Sequence, residues 1–235
     1  MLALSCFDAA IIDLDGTLVD TLGDFVAALE LLRADLAAKG YETTPFTAAT
    51  VEPMVGKGSE NLVKTALSAL NRLPAQVFIA GSAIDSIANC DWACSRYLLH
   101  YRAVSGRHAA VYPGVVDGLR AMKAAGLRLA CVTNKPLDFA MPLLAQLGLA
   151  GFFSHVFGGD SFARKKPDPM PLLKTCEALG TTPARTLMVG DSSNDFEAAR
   201  AAGCPVVLVT YGYNHGQPVR AVKADGFVDS MAELV

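Results

Sequence analysis

Residues 9–17 read Ala9-Ala10-Ile11-Ile12-Asp13-Leu14-Asp15-Gly16-Thr17. An apolar run stopped by Asp15-Gly16 predicts a buried strand over Ala9 to Leu14 followed by a turn. Downstream of Tyr112 the same kind of run recurs behind helical stretches that each end at a glycine. Val115 to Ala125 is followed by Gly126 and then by Arg128 to Val132; Leu137 to Leu147 by Gly148 and His155 to Phe157. Pro169 to Leu179 is followed by Gly180 and Thr186 to Val189, Asp195 to Ala202 by Gly203 and Val206 to Val209, and Phe227 with Val228 adds a last short strand. Repeated helix–glycine–strand units predict a parallel sheet with helices on its faces. Ligands of such open sheets bind beyond the carboxyl ends of the strands.

Between the first strand and these units, Thr21 to Arg107 reads as helical throughout. Leu22, Phe25, Val26, Leu29, Leu32 and Leu36 mark one helix face before Gly40. Leu62 to Leu73 and Ala75 to Tyr101 continue the helical character, with Pro74 as a breaker. The expected fold class is α/β: a Rossmann-like parallel-sheet core from 1–20 and 108–235, with 21–107 as an inserted all-helical unit.

The bulk composition fits this reading. In 235 residues, 52% apolar and 18% charged side chains suit a packed globular chain. With 20 basic against 23 acidic side chains and no basic stripe, no nucleic-acid partner is expected. The mean hydropathy is positive, +0.33, yet the most apolar stretch, Ala140 to Phe157, is interrupted by Pro142, Gln146, Ser154 and His155, so it reads as core elements and no membrane span is expected. No Lys or Arg precedes the apolar N-terminal residues and Asp8 interrupts them, which predicts a cytoplasmic protein without a targeting segment. The six cysteines form no C-x-x-C pair; Cys90 and Cys94 lie one helical turn apart without a histidine at ligand spacing, so no zinc centre is expected.

The predicted strand ends carry the chemistry. Strand one delivers Asp13, Asp15 and Thr17; Arg128 to Val132 delivers Thr133 and Asn134; the strand after His155 leads to Lys165-Lys166-Pro167; Thr186 to Val189 delivers Gly190-Asp191 and Asp195. If the strands are parallel, all four sets meet at one sheet edge. Asp13 and Asp15, two apart on a strand, point to one side, where two carboxylates repel unless a cation joins them or one keeps a proton. Magnesium prefers hard oxygen ligands, and Asp13 with Asp191 supplies two, leaving Asp15 to hold a proton as general acid. Taken singly, Thr133-Asn134 reads as a helix cap, Lys166 as a solvated lysine before a proline, and Asp191 and Asp195 as acids complementing a helix dipole. Together they supply what phosphoryl transfer needs: magnesium and Lys166 for charge, with the Thr133 hydroxyl, the Asn134 amide and the amides from Leu14 to Gly16 for the non-bridging oxygens.

Asp13-x-Asp15-x-Thr17, Thr133, Lys166 and Gly190-Asp191-x-x-x-Asp195 resemble the four ordered motifs of the haloacid dehalogenase superfamily. Lys166-Pro167-Asp168-Pro169 and Tyr211-Gly212-Tyr213-Asn214-His215-Gly216 resemble signatures of its phosphoglycolate phosphatase branch, and the helical insertion resembles that superfamily's mobile cap. The resemblance implies magnesium-dependent hydrolysis of a small phosphorylated metabolite such as 2-phosphoglycolate. It implies that Asp13 is the nucleophile forming an aspartyl-phosphate, that Asp15 is general acid and then base, and that magnesium is held by Asp13, the Asp15 backbone carbonyl and Asp191. Asp195 and Thr17 would support that shell, and Lys166 would orient Asp13 and the phosphate. Val55-Gly56-Lys57-Gly58-Ser59 resembles the cap loop facing the active site, where Lys57 either pairs with a substrate carboxylate or sits in solvent on a flexible turn.

Close relatives compete with this reading. A sugar-phosphate phosphatase or a phosphomutase would carry the same motifs. A dehalogenase needs neither magnesium nor Asp15, and a phosphonate hydrolase would lack an aspartate at that position. From a different class, a receiver domain would be about half as long without the insertion, and a degenerate phosphate-binding module would have lost Asp13 or Asp15. The sequence is compatible with a monomer or a homodimer.

Overall fold

The structure, a computed structural model, describes residues 3–70 and 87–234. Six strands, β1 (Ala9–Ile12), β4 (Arg128–Val132), β5 (His155–Phe157), β6 (Thr186–Gly190), β7 (Val206–Val209) and β8 (Gly226–Val228), form one sheet in the order β5-β4-β1-β6-β7-β8, every pair parallel. Two further two-residue strands, β2 (Val19–Asp20) and β3 (Ala110–Val111), pair antiparallel as a separate ribbon.

Strand β1 is buried along its whole length because both sheet faces are covered. Ala10 and Ile12 belong to a core with α5 (Val115–Ala124) and α6 (Leu137–Gln146). Ala9 and Ile11 belong to a second core with α7 (Met170–Leu179) and α8 (Ser193–Ala202). Each fully buried isoleucine contributes roughly 1.5–3 kcal/mol relative to an exposed one. Period-two alternation along β1 therefore feeds two cores and fixes its register against both neighbours. The four glycines expected to end helices, Gly126, Gly148, Gly180 and Gly203, all have positive φ between 64° and 87°, which fits helix ends without a Cβ penalty.

A third core is helical. It joins α1 (Leu22–Ala38), α2 (Ala48–Val51), α3 (Ser59–Leu70) and α4 (Ile87–Val104) around Phe25, Leu29, Leu32, Leu36, Tyr97 and Tyr101. The apolar face expected for α1 is buried at Phe25, Leu29, Leu32 and Leu36, while Leu22 and Val26 are half-buried. Phe139 of α6 and Tyr213 also enter this cluster, so the helical layer is seated on the sheet domain through aromatic side chains. The helix break expected at Pro74 lies outside the described residues. Among the described residues no helix is long and apolar enough to cross a membrane.

Two details depart from the sequence reading. Strand β1 ends at Ile12 rather than Leu14, because the Leu14 carbonyl accepts from the amides of Thr17, Leu18 and Val19 and so closes a tight turn. The ribbon of β2 and β3 was not anticipated, since two residues carry no periodic signal. It lies where the chain leaves the sheet domain and where it returns.

Asp24 ties those two crossings together. It is fully buried in the first turn of α1, and its carboxylate accepts from the amides of Gly106 at 2.6 Å and His108 at 2.8 Å. Removing it leaves two amides without an acceptor, each costing about 1–3 kcal/mol. Asp24→Ala is expected to lower the free energy of unfolding by about 2 kcal/mol or more in urea titrations; an unchanged midpoint would show these bonds to be dispensable.

Candidate active site

From β1 the chain runs to β4 and β5 on one side of the sheet, then returns to β6, β7 and β8 on the other. The carboxyl end of β1 is therefore the switch point, where open sheets leave a crevice. Asp13 stands one residue past β1, its amide donating to the Val189 carbonyl at 3.0 Å. Thr133 and Asp191 stand one residue past β4 and β6. Lys166 arrives from the loop between β5 and α7.

These side chains meet in one buried cluster. Lys166 Nζ lies 2.9 Å from Asp13 Oδ1, 2.7 Å from Asp195 Oδ1 and 2.7 Å from the Val132 carbonyl, with 2% of its side chain exposed. Its three N–H groups are thus matched by three protein oxygens, and it clamps Asp13 rather than facing a ligand. Burial opposes its charge, but Asp13 and Asp195 outweigh that cost and hold its pKa above the ordinary lysine value. Burial pushes the Asp13 carboxyl up to about 7 against the pull of Lys166, and Asp195 adds to the rise. Asp191 is raised well above the usual carboxylate range, by burial first and then by Asp195 and Asp13.

Carboxylate oxygens of Asp13, Asp191 and Asp195 lie within 4.8 Å of one another. Fully ionised, three acids against one ammonium would carry a net charge of about −2 in a nearly closed space, which the fold opposes by raising Asp13 and Asp191 and which a divalent cation would relieve. The donors are all hard oxygens, as magnesium requires. Asp195 is the most heavily committed of the three: Oδ1 takes Lys166, and Oδ2 accepts from the Asp191 and Ser192 amides and the Ser192 hydroxyl. Asp13 and Asp191 remain. Both donors to Asp13 among the described residues, the Leu14 amide and Lys166, fall on Oδ1, so Oδ2 is left open by them. Asp191 accepts one bond on each oxygen, from the Thr17 hydroxyl at 2.9 Å and the Tyr213 amide at 2.6 Å, and keeps a lone pair on each. The donor set fits a magnesium ion.

Asp15 lines the same small cavity as Asp13, Thr133 and Asn134, about 40 Å³ in volume, walled by Phe25, Val55 and Leu62 from the helical layer. The two carboxylates share this cavity although the strand has ended before either. Asp15 Oδ1 accepts from the Thr21 hydroxyl at 2.7 Å and from Lys135 Nζ at 2.8 Å. Lys135 is a residue the motif reading passed over, although it directly follows Thr133-Asn134. Thr21 was read only as the start of the insertion.

The remaining expected phosphate donors are placed as follows. The Thr133 hydroxyl is buried at the cavity and accepts from the Lys135 amide. The Asn134 side-chain amide is committed to the carbonyls of Gly56 and Lys166, while its Oδ1 has no partner among the described residues. Of the amides in the turn, Leu14 donates to Asp13 and Gly16 to Val19 at 2.9 Å, leaving the Asp15 N–H without a protein acceptor among the described residues. Gly16 serves instead by having no side chain: at φ +85° a Cβ there would come within 2.2 Å of Asp191 Oδ2.

The loop 211–216 does several jobs the sequence did not announce. The Tyr213 hydroxyl accepts from the amides of Thr21 and Leu22 and donates to Asp20, fixing the start of α1. The Tyr211 hydroxyl donates to the Thr17 carbonyl, and the Asn214 side chain accepts from the Ser193 amide. His215 packs against Gly56, where a Cβ would approach its ring to 2.8 Å. The Gly56 carbonyl also accepts from Asn194 at 3.1 Å, so the loop of Val55 to Ser59 is held on the sheet domain from three sides. Lys57, in that loop, is exposed and lines an outer cleft with Glu60, Lys64, Lys165 and Glu197, outside the inner cavity.

The chain is similar to known proteins along nearly its whole length. A family model for haloacid dehalogenase-like hydrolases matches residues 7–203. The chain is 42% identical over 225 residues to a phosphoglycolate phosphatase of Thiobacillus denitrificans, covering 96% of this chain and 92% of that protein. It is 43% identical over 226 residues to the plasmid phosphoglycolate phosphatase of Cupriavidus necator, covering 96% and 90%. The crystal structure of a predicted phosphoglycolate phosphatase from Haemophilus somnus superposes with a TM-score of 0.86 at 31% identity, covering 97% of this chain and 96% of that one. The chain therefore belongs to the haloacid dehalogenase-like hydrolases, in their phosphoglycolate phosphatase-like branch.

Proposed function

We propose that this protein hydrolyses a small phosphate monoester, 2-phosphoglycolate foremost, through a phosphorylated Asp13. The observation that carries the reading is the clamp on Asp13. Lys166 and the Leu14 amide hold one carboxylate oxygen and leave the other open at the cavity that also contains Asp15. A fixed carboxylate with one free oxygen is a nucleophile already oriented, which removes much of the entropic cost of attack.

In the first step Asp13 Oδ2 forms a bond to phosphorus as the ester oxygen leaves, and Asp15 gives that oxygen its proton. In the second, Asp15 takes a proton from water, the resulting hydroxide attacks phosphorus, and inorganic phosphate departs to restore Asp13. Proton transfer of this kind is worth about 10²–10⁴-fold. Asp13, the Asp15 backbone carbonyl and Asp191 would hold a magnesium ion, which neutralises charge on the phosphoryl oxygens. Asp195 and Thr17 hold Lys166 and Asp191 in place. The Thr133 hydroxyl and the Asp15 N–H face the phosphoryl oxygens. Residues 21–107 act as a cap over the core of 1–20 and 108–235, and Thr21, bonded to Asp15, couples the cap's hinge to the acid–base residue. Phe25, Val55 and Leu62 of the helical layer wall the cavity, so the leaving group, glycolate in 2-phosphoglycolate, would meet that layer. The phosphoglycolate phosphatases of Thiobacillus and Cupriavidus, alike along nearly the whole chain, support the same substrate.

Asp13→Asn is expected to lower kcat on 2-phosphoglycolate by about a thousandfold or more while circular dichroism stays that of the parent protein. Retained turnover would remove Asp13 from the nucleophile's place. Magnesium binding is expected to track the protonation of the cluster. Asp13 is raised from 3.8 to about 7 in the fold, so the metal-free fold binds the extra proton and loses stability as pH rises through that window. The cation needs the ionised carboxylates, so its stabilising effect grows over the same range. Thermal melts with and without magnesium are expected to show a larger shift at pH 8 than at pH 5.5. Equal shifts would mean that the metal binds elsewhere.

A further inference from the structure

Lys135 has an environment unlike that of any other lysine near the site. Its side chain is 3% exposed, and its ammonium lies 4.8 Å from the ring centroids of both Phe25 and Tyr101, two residues of the helical layer. Among the described residues its only hydrogen-bond partner is Asp15 Oδ1 at 2.8 Å. Aromatic faces stabilise a cation without consuming its N–H groups, so two of the three donors remain unspent. Lys166, the other buried cation, is fully occupied by Asp13, Asp195 and the Val132 carbonyl. Lys57, Lys64 and Lys165 line the outer cleft. Among the described residues Lys135 is therefore the one cation lining the inner cavity.

We propose that Lys135 is the receptor for a carboxylate on the leaving group, and so the residue that selects an anionic alcohol such as glycolate. The inference rests on the phosphoglycolate reading and sharpens it. In 2-phosphoglycolate one methylene separates the ester oxygen from the carboxylate. The group that protonates the ester oxygen must come within hydrogen-bond reach of it, about 2.6–3.2 Å. A substrate placed so that Asp15 touches its ester oxygen carries its carboxylate to within a few ångströms of Asp15, where Lys135 stands. The alternative wall is Phe25, Val55 and Leu62, and burying a carboxylate against these without a counter-charge is strongly unfavourable. Contact with a second anion also sets the geometry of the first: Lys135 bridges the carboxylate and Asp15, holding the acid beside the oxygen it serves. Because Phe25 and Tyr101 flank the ammonium, this receptor is complete only when the helical layer is seated on the sheet domain.

The test compares 2-phosphoglycolate with ethyl phosphate, a similar small alkyl ester without the carboxylate, in the parent protein, K135Q, K135M, K135R and K57Q. The readout is the ratio of kcat/KM for the two esters. Any loss that Lys135 causes through Asp15 falls on both esters and cancels in that ratio. K135Q is expected to lower the ratio about thirtyfold or more, as removal of one partner of a buried charge pair does. K135R should restore part of it, and K57Q should leave it within about threefold. K135M keeps the aliphatic stem between the rings and carries the same test should the glutamine disturb the fold. A high parental ratio that K135Q and K135M leave unchanged would overturn the assignment alone. A parental ratio near one would overturn the phosphoglycolate reading, and the assignment with it.

Discussion

The Lys166 ammonium, held between Asp13, Asp195 and the Val132 carbonyl, is the interaction on which the site depends. Without it three acids would crowd the end of β1 with no internal counter-charge. Breaking such a buried pair costs several kcal/mol because an uncompensated charge is left behind. The clamp also decides geometry. It takes Oδ1 of both Asp13 and Asp195, while Asp191 and Ser192 take Oδ2 of Asp195, so that Oδ2 of Asp13 and the remaining lone pairs of Asp191 are left for chemistry. The sheet order supplies the setting, since only at the switch point do β1, β4 and β6 end side by side.

A second set of contacts links this centre to the helical layer. Asp15 is tied to Thr21, the residue before α1, and Tyr213 binds the amides of Thr21 and Leu22 while its own amide reaches Asp191. The Gly56 carbonyl is gripped by Asn134 and Asn194. Asn134 follows β4 directly, and Asn194 sits in the first turn of α8. The layer's position and the orientation of Asp15, the proposed acid–base residue, are thus set by the same few groups.

Much of the fold and the centre of the site were legible in the sequence, for physical reasons. Parallel strands are buried on both faces and read as short apolar runs, so a polar side chain directly after such a run marks a carboxyl end. Asp13, Thr133 and Asp191 were found that way, and the glycines at 126, 148, 180 and 203 punctuated the helices between. What the sequence withheld depends on distance in the chain. Lys135 looks like a lysine before Pro136 until Asp15, 120 residues earlier, is placed against it. Tyr213 bonds to Thr21 across 192 residues, and no local pattern announces this. Asn134 was read as a phosphate donor, but its amide belongs to the Gly56 carbonyl, a backbone group without a sequence signature. The early end of β1 at Ile12 reflects three amides converging on the Leu14 carbonyl, which outweighs the strand propensity of the run.

Whether four distant strand ends build one phosphoryl site around Asp13 is answered by a crystal structure of the protein with magnesium and beryllium trifluoride, which mimics a phosphorylated carboxylate. The beryllium is expected bonded to the free oxygen of Asp13, with the cation touching Asp13 and Asp191 and the Lys166 clamp intact. A trifluoride joined to any other residue, or a cation seated away from Asp13 and Asp191, would refute the covalent role of Asp13 and the metal assignment together.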